Sequence, residues 1–74
     1  MKSNAQVIDD LKKERDEVDY KLDKLTEFAL SDKIDKVSSM QAGLIMVQRS
    51  IMTAYRNVLT GRMEDLSVGG YRDE

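Results

Sequence analysis

The stretch GLIMVQRSIMTAYRNVLTGRM, residues 43–63, is the most apolar part of the chain and contains no acidic residue. Its largest apolar stripe recurs at helical spacing, which predicts an α-helix. The stripe consists of Met40, Leu44, Val47, Ile51, Val58 and Leu59, with Ile45, Met52, Met63 and Leu66 beside it. One neighbouring helix covers only one side of such a surface, so the apolar width predicts a second partner, most simply another copy of the chain.

The segment upstream predicts the first neighbour. Residues 4–29 carry an apolar stripe (Val7, Ile8, Leu11, Val18, Leu22, Leu25 and Ala29) among many close opposite charges. Ser3 or Asn4 can cap this helix. The gap between Leu11 and Val18 is filled by Glu14 or Arg15. Ser and Asp residues at 30–38 predict a turn containing a short helical segment at 32–36.

Ser38 precedes Gln41 at capping-box spacing, which predicts a second helix at about 39–66. Gly69 and Gly70 end the ordered chain and leave residues 67–74 as a flexible tail. The predicted fold is therefore all-α: a two-helix antiparallel hairpin, residues 1–66, that assembles into a homo-oligomeric helical bundle.

Composition narrows the function. The 74-residue chain has no cysteine and no histidine, so the usual zinc ligands and the commonest catalytic base are missing. We expect no enzyme, no metal site and no cofactor. The longest apolar run, GLIMV, is far shorter than a membrane span, and no signal peptide is visible. A soluble cytoplasmic protein is expected.

Charge is unevenly distributed. Residues 9–36 carry ten acids and seven bases, whereas residues 37–63 carry three arginines and no acid. The acidic first helix argues against general nucleic-acid binding. The cationic second helix permits a local anion site.

A polar row runs through the apolar helix. Gln41, Gln48, Tyr55 and Arg62 lie seven residues apart, so they form a nearly straight line with steps of about 10.5 Å. An amide, a phenol and a guanidinium suit a base or sugar edge, a stacking surface and a phosphate. Arg49 and Arg56 neighbour the row. The alternative is that the row only lines the boundary between two packed interfaces.

Several motifs, taken in order, resemble a family of very small helical proteins encoded by tailed bacteriophages. That family has K-L-x-x-F near the end of helix 1, a Ser/Asp turn, and L-[LI]-x-x-Q-x-x-x-M-x-x-Y-x-x-[IV]-L-x-x-R-[IM] in helix 2. This chain has Lys24-Leu25-Thr26-Glu27-Phe28 and Ser31-Asp32-Lys33. It continues with Leu44-Ile45, Gln48, Met52, Tyr55, Val58-Leu59 and Arg62-Met63 in register. The resemblance covers about residues 18–66.

Phage proteins of similar build include immune sponges, which bind the nucleotide second messengers of Thoeris or CBASS defence without cleaving them. The resemblance implies the same role here, in the cytoplasm of the infected bacterium. The ligand would be a cyclic ADP-ribose isomer or a cyclic oligonucleotide. The expected ligand-binding residues are Gln48, Tyr55, Arg56, Arg62 and Arg49, with Tyr71 and Arg72 closing as a tail lid. The expected oligomer interface comprises Leu44, Ile45, Val47, Ile51, Met52, Val58, Leu59 and Met63.

Two rival functions remain open. In the first, the oligomer docks a host or phage protein through the charged faces of helix 1 or through its methionine-rich surface. In the second, it is a structural bundle that acts in nucleic-acid control, against which the acidic first helix argues. For the tail, simple fraying is the alternative to a lid.

Overall fold

The computed structural model describes residues 2–69, and within them the chain is all-helical with two α-helices and no strand. This confirms the predicted all-α class. Helix α1 spans Asn4–Ala29 and helix α2 spans Ser39–Ser67, with a 3₁₀ turn at Asp32–Lys36 between them. The helices lie side by side and run in opposite directions, so the molecule is a hairpin of 52 × 18 × 16 Å.

Serine side chains mark the start of all three helical segments. Ser3 caps α1 in a capping box, in which its hydroxyl accepts from the Gln6 N–H and the Gln6 side chain accepts from the Ser3 N–H. Ser31 and Ser38 cap the 3₁₀ turn and α2. Each cap satisfies a backbone donor that the first turn of a helix leaves unpaired.

The C-terminal end of α2 is closed by a glycine. Ser67 is its last helical residue, Val68 caps it, and Gly69 follows with φ of +82°. A side chain would be strained at this φ, so glycine suits the position. The flexible tail is expected to begin at residue 67, whereas α2 includes Ser67. Tyr71 and Arg72, the two tail residues predicted to form a lid, lie outside the described residues.

The hydrophobic core occupies the end of the hairpin where the N-terminus of α1 meets the C-terminus of α2. Five side chains are buried in it, and Val7, Ile8 and Met52 pack against them. The buried five are Leu11, Val18, Leu59, Met63 and Leu66. Leu59 is only 2% exposed, which makes it the centre of the contact between α1 and α2.

This core contains two residues expected at the interface between chains. Leu59 and Met63 fall on the side of α2 that faces α1 and are buried within one hairpin. Within one hairpin, α1 already covers both side chains. Of the other expected interface residues, Ile45 and Met52 are half-buried, and four are exposed: Leu44, Val47, Ile51 and Val58.

Arg15 fills the gap in the stripe of α1. Its side chain is 27% exposed, and its Nε is buried without a hydrogen-bond partner in the described structure. The guanidinium reaches Asp16 at 3.4 Å. The long stem of Arg15 thus lies in the seam between the helices while its head points toward water.

Among residues 2–69, neither helix is both long and apolar enough to cross a membrane.

Candidate functional site

The polar row of α2 lies along one side of the hairpin seam. The Tyr55 hydroxyl donates to Oε1 of Glu14 across 3.3 Å, which ties the middle of α2 to α1. Because the helices are antiparallel, a step of seven residues toward the N-terminus of α2 corresponds to a step of seven residues toward the C-terminus of α1. Gln48 therefore lies opposite Lys21, and Gln41 lies opposite Phe28.

A groove opens where Gln48 meets Lys21. Its volume is about 500 Å³, within the usual range of sites for small molecules. Both helices line it, α1 with Tyr20, Lys21, Lys24, Leu25 and Phe28, and α2 with Gln48 and Met52. We call this the Gln48 groove. It lies toward the turn end of the hairpin, away from most of the buried core.

The chemistry of the Gln48 groove is aromatic and cationic. Tyr20 and Phe28 supply two rings, Lys21 and Lys24 supply two ammonium groups, and Gln48 supplies an amide. The Lys24 Nζ lies 5.6 Å from the centroid of the Tyr20 ring, a distance at which a cation and an aromatic face attract. An anion with a flat apolar part is complementary to this combination.

A second cavity adjoins the groove at the turn. Its volume is about 380 Å³, and Lys24, Glu27, Phe28, Ser31 and Lys33 line it. Lys24 and Phe28 belong to both cavities. Lys33 thus adds a third ammonium group near the groove. The Glu27 carboxylate lies 3.8 Å from Lys24 Nζ and partly offsets the positive charge of these lysines.

Tyr55 and Arg62 continue the polar row beyond the groove, toward the buried core. Partial burial raises the pKa of the Tyr55 phenol, and the charge and hydrogen bond of Glu14 raise it further. The Arg62 guanidinium lowers the same pKa, which indicates that it lies close enough for its charge to act on the phenol. Tyr55 therefore remains a neutral hydrogen-bond donor at physiological pH.

Arg49 and Arg56 point away from the polar row. Arg56 Nε pairs with Oδ1 of Asp19, and Arg49 Nε donates to Oγ1 of Thr26 at 3.3 Å. Asp19 is five residues beyond Glu14, about 140° farther around α1. These two arginines therefore lie on the opposite side of the seam from Gln48.

The sequence predicts only part of the groove. Gln48 is an expected ligand-binding residue, and Met52 is an expected oligomer-interface residue. The α1 residues Tyr20, Lys21, Lys24, Leu25 and Phe28 are not among the expected site residues. The signal for three of them was the K-L-x-x-F motif, because Lys24, Leu25 and Phe28 are its defined positions.

Among the described residues, no cluster of acidic side chains could hold a metal ion. The Gln48 groove is therefore the candidate functional site within residues 2–69.

A family model named Sequestin matches residues 5–65. The chain belongs to the Sequestin family. The matched range includes nearly all of α1 and α2, and hence every residue that lines the Gln48 groove. No curated protein and no solved structure matches this Sequestin-family chain.

Proposed function

We propose that this Sequestin-family protein is a phage anti-defence protein that binds and sequesters a nucleotide second messenger of bacterial immunity. The Gln48 groove carries this proposal, because it brings aromatic, cationic and amide groups together in one cavity of about 500 Å³. The family name supports sequestration of a ligand. The proposed ligand is a cyclic ADP-ribose isomer or a cyclic oligonucleotide, captured in the cytoplasm of the infected cell.

Each part of such a nucleotide has a counterpart in the groove. A base would stack on Phe28 or Tyr20, since aromatic faces attract flat rings. Phosphates would lie against the ammonium groups of Lys21 and Lys24, where charge-assisted hydrogen bonds are strong. The Gln48 amide can donate to and accept from a base edge or a ribose hydroxyl.

The proposed mechanism is capture without cleavage. The groove residues offer binding groups, and none of them is a carboxylate that could serve as a general base. Glu27 pairs with Lys24 at the edge of the groove, and Glu14, farther along the seam, accepts the hydrogen bond of Tyr55. Binding lowers the free concentration of the messenger and leaves the molecule intact.

Calorimetry tests the proposal directly. The purified protein is titrated with a panel of cyclic ADP-ribose isomers and cyclic oligonucleotides. We expect one of them to bind, and we expect Lys24→Gln or Gln48→Ala to weaken that binding about tenfold, since a lost hydrogen bond to a charged group costs about 1.5 kcal/mol.

Lys13→Gln is the matched control, because Lys13 is an exposed α1 lysine that pairs with Asp9 far from the groove. Its affinity should equal that of the wild type. Absence of heat with the whole panel would contradict the proposal for these ligands. Equal loss in Lys24→Gln and Lys13→Gln would contradict the groove as the site.

A further inference from the structure

The face of α2 that points away from α1 is apolar and exposed. Five large side chains on it are more than half exposed: Met40, Leu44, Val47, Ile51 and Val58. Ala54 and Gly61 continue the same stripe at spacings of three and four. We call residues 40, 44, 47, 51, 54, 58 and 61 the outer stripe. Alternating spacings of three and four are typical of a helix that packs against another helix.

The hairpin exposes more large apolar side chains than it buries. Within residues 2–69, five apolar side chains are buried, whereas seven large apolar side chains of α2 are exposed. A domain of this size is marginal when it folds alone, and a chain without cysteine or histidine has few other ways to add stability. Burial of the outer stripe would roughly double the core.

Gly61 would allow another backbone to approach the outer stripe closely. It lies inside α2, where glycine costs about 1 kcal/mol relative to alanine. A Cβ at this position would contact nothing among residues 2–69, so packing within the described hairpin does not require glycine. Close approach of a neighbouring helix would favour it.

We propose that the outer stripe binds the outer stripe of a second copy of the chain, with the two α2 helices antiparallel. Opposing Ile51 to the partner's Ala54 pairs a large residue with a small one. Leu44 then faces the partner's Gly61, and Val47 faces the partner's Val58. This register buries the stripe from Leu44 to Gly61, and its two-fold symmetry makes both chains equivalent.

Charge favours the antiparallel arrangement. A parallel pair in register would set Asp65, which lies four residues beyond Gly61 on the same side of α2, beside the partner's Asp65. Like charges so placed repel each other. The antiparallel register sets Arg62 beside the partner's Gln41, and it also opposes the helix dipoles favourably.

The second copy would complete the nucleotide site, an extension that rests on the proposed function. The polar row borders the outer stripe, so the two rows meet along the dimer seam. In the same register Gln48 lies beside the partner's Tyr55, and Gln41 lies beside the partner's Arg62. The Gln48 groove of each chain would thus gain a phenol and a guanidinium from the partner, giving two equivalent sites per dimer.

Cysteine cross-linking tests the dimer without any nucleotide. The chain has no cysteine, so Val47→Cys and Val58→Cys each introduce a single thiol at an exposed position. A short bis-maleimide should link the two variants when they are mixed and should link neither variant to itself. Lys13→Cys, on the exposed side of α1, is the control and should give no product with either variant.

Other cross-linking results would overturn the arrangement. Linkage of each variant to itself would show a parallel pair. Absence of every product, together with sedimentation of the wild type as a monomer, would show that a second copy does not cover the outer stripe. Circular dichroism of each variant confirms that the helices are intact.

Mixing two binding-defective variants tests the shared site. Lys24→Gln damages the groove, and Arg62→Ala removes the residue that the partner would contribute. A mixture of equal amounts should recover about one quarter of the wild-type capacity for cyclic ADP-ribose isomers, because half of the dimers are mixed and each has one intact site of two.

The two proposals fail in distinguishable ways. Cross-linking in the expected register without nucleotide binding would overturn the proposed function and leave the dimer. Nucleotide binding by the wild type without recovery in the mixture would overturn the shared site and leave the function.

Discussion

Tyr55 of α2 donates its phenol hydrogen to Glu14 of α1 across 3.3 Å, although the two residues are 41 positions apart in the chain. This contact shows how the two helices are aligned. In that alignment the polar row of α2 lies beside Lys21 and Phe28 of α1, and both helices line the Gln48 groove.

Glu14 helps to keep the Tyr55 phenol protonated. Burial, followed by the charge and hydrogen bond of Glu14, raises the pKa of this phenol above its ordinary value near 10. Glu14→Gln should lower that pKa, because the neutral amide no longer opposes the phenolate. Phenolate absorbance during a titration measures it, in a Tyr20→Phe/Tyr71→Phe background that leaves a single tyrosine. Glu17→Gln, an exposed change on α1, is the control.

The same shift has a consequence for stability at high pH. Because the pKa is raised in the folded state, the folded protein retains a proton that the unfolded chain releases. The stabilising contribution is fully present below the unfolded pKa, about 10, and is lost as the pH rises through the folded pKa. A Tyr55→Phe variant should lose less stability over that alkaline interval. An identical loss in both proteins would contradict this account.

Leu59 should be the most sensitive position in the core. It is 2% exposed, and replacing such a leucine with alanine costs about 2–5 kcal/mol through lost burial and the cavity left behind. Leu59→Ala should therefore lower the urea midpoint strongly or unfold the chain. Leu30→Ala removes the same atoms from a side chain that is 80% exposed and should change the midpoint little.

The ion pair of Arg56 with Asp19 should matter for stability and not for the ligand. Both side chains are partly shielded, with 41% and 34% exposure, so Arg56→Gln should cost about 1 kcal/mol. Asp9→Asn, which breaks the more exposed pair with Lys13, should cost about 0.3 kcal/mol. Urea titrations at one protein concentration measure both changes. A tenfold loss of nucleotide affinity in Arg56→Gln would contradict this expectation and show that Arg56 belongs to the binding site.

Arg15 offers a stabilising substitution. Its Nε is buried and has no hydrogen-bond partner among residues 2–69, and such a group costs about 1–3 kcal/mol. Arg15→Met keeps most of the length of the side chain and removes the polar atom, so thermal unfolding should shift to higher temperature. Lys12→Met, on the exposed neighbour, should have little effect. Destabilisation by Arg15→Met would show that the guanidinium contributes more than its stem.

The all-helical class could be predicted because local signals agree with one another. The hydroxyls of the serines at 3, 31 and 38 each accept a backbone N–H at the start of a helical segment, and the apolar spacing on both sides of the turn favours helix. Propensity, capping and hydrophobic pattern act within a few residues, so they can be recognised in a single sequence.

The sides of α2 could not be assigned from the same pattern. Leu59 and Val58 are adjacent and similar in chemistry, yet one is buried and the other is 57% exposed. Which of them faces α1 depends on how the two helices pack together, and that packing joins residues far apart in the chain, such as Tyr55 and Glu14. The groove was missed for the same reason, since its α1 residues become neighbours of Gln48 only after the hairpin closes.

Sequestration of a nucleotide in the Gln48 groove is tested most directly by recovering the bound nucleotide intact. The protein is incubated with a messenger that binds in calorimetry, passed through a desalting column, and heated to release what it holds. We predict that mass spectrometry of the supernatant finds the messenger unaltered, at close to one molecule per chain, and that Lys24→Gln retains much less. Recovery of a cleaved product, or equal retention by Lys24→Gln, would contradict sequestration in the Gln48 groove.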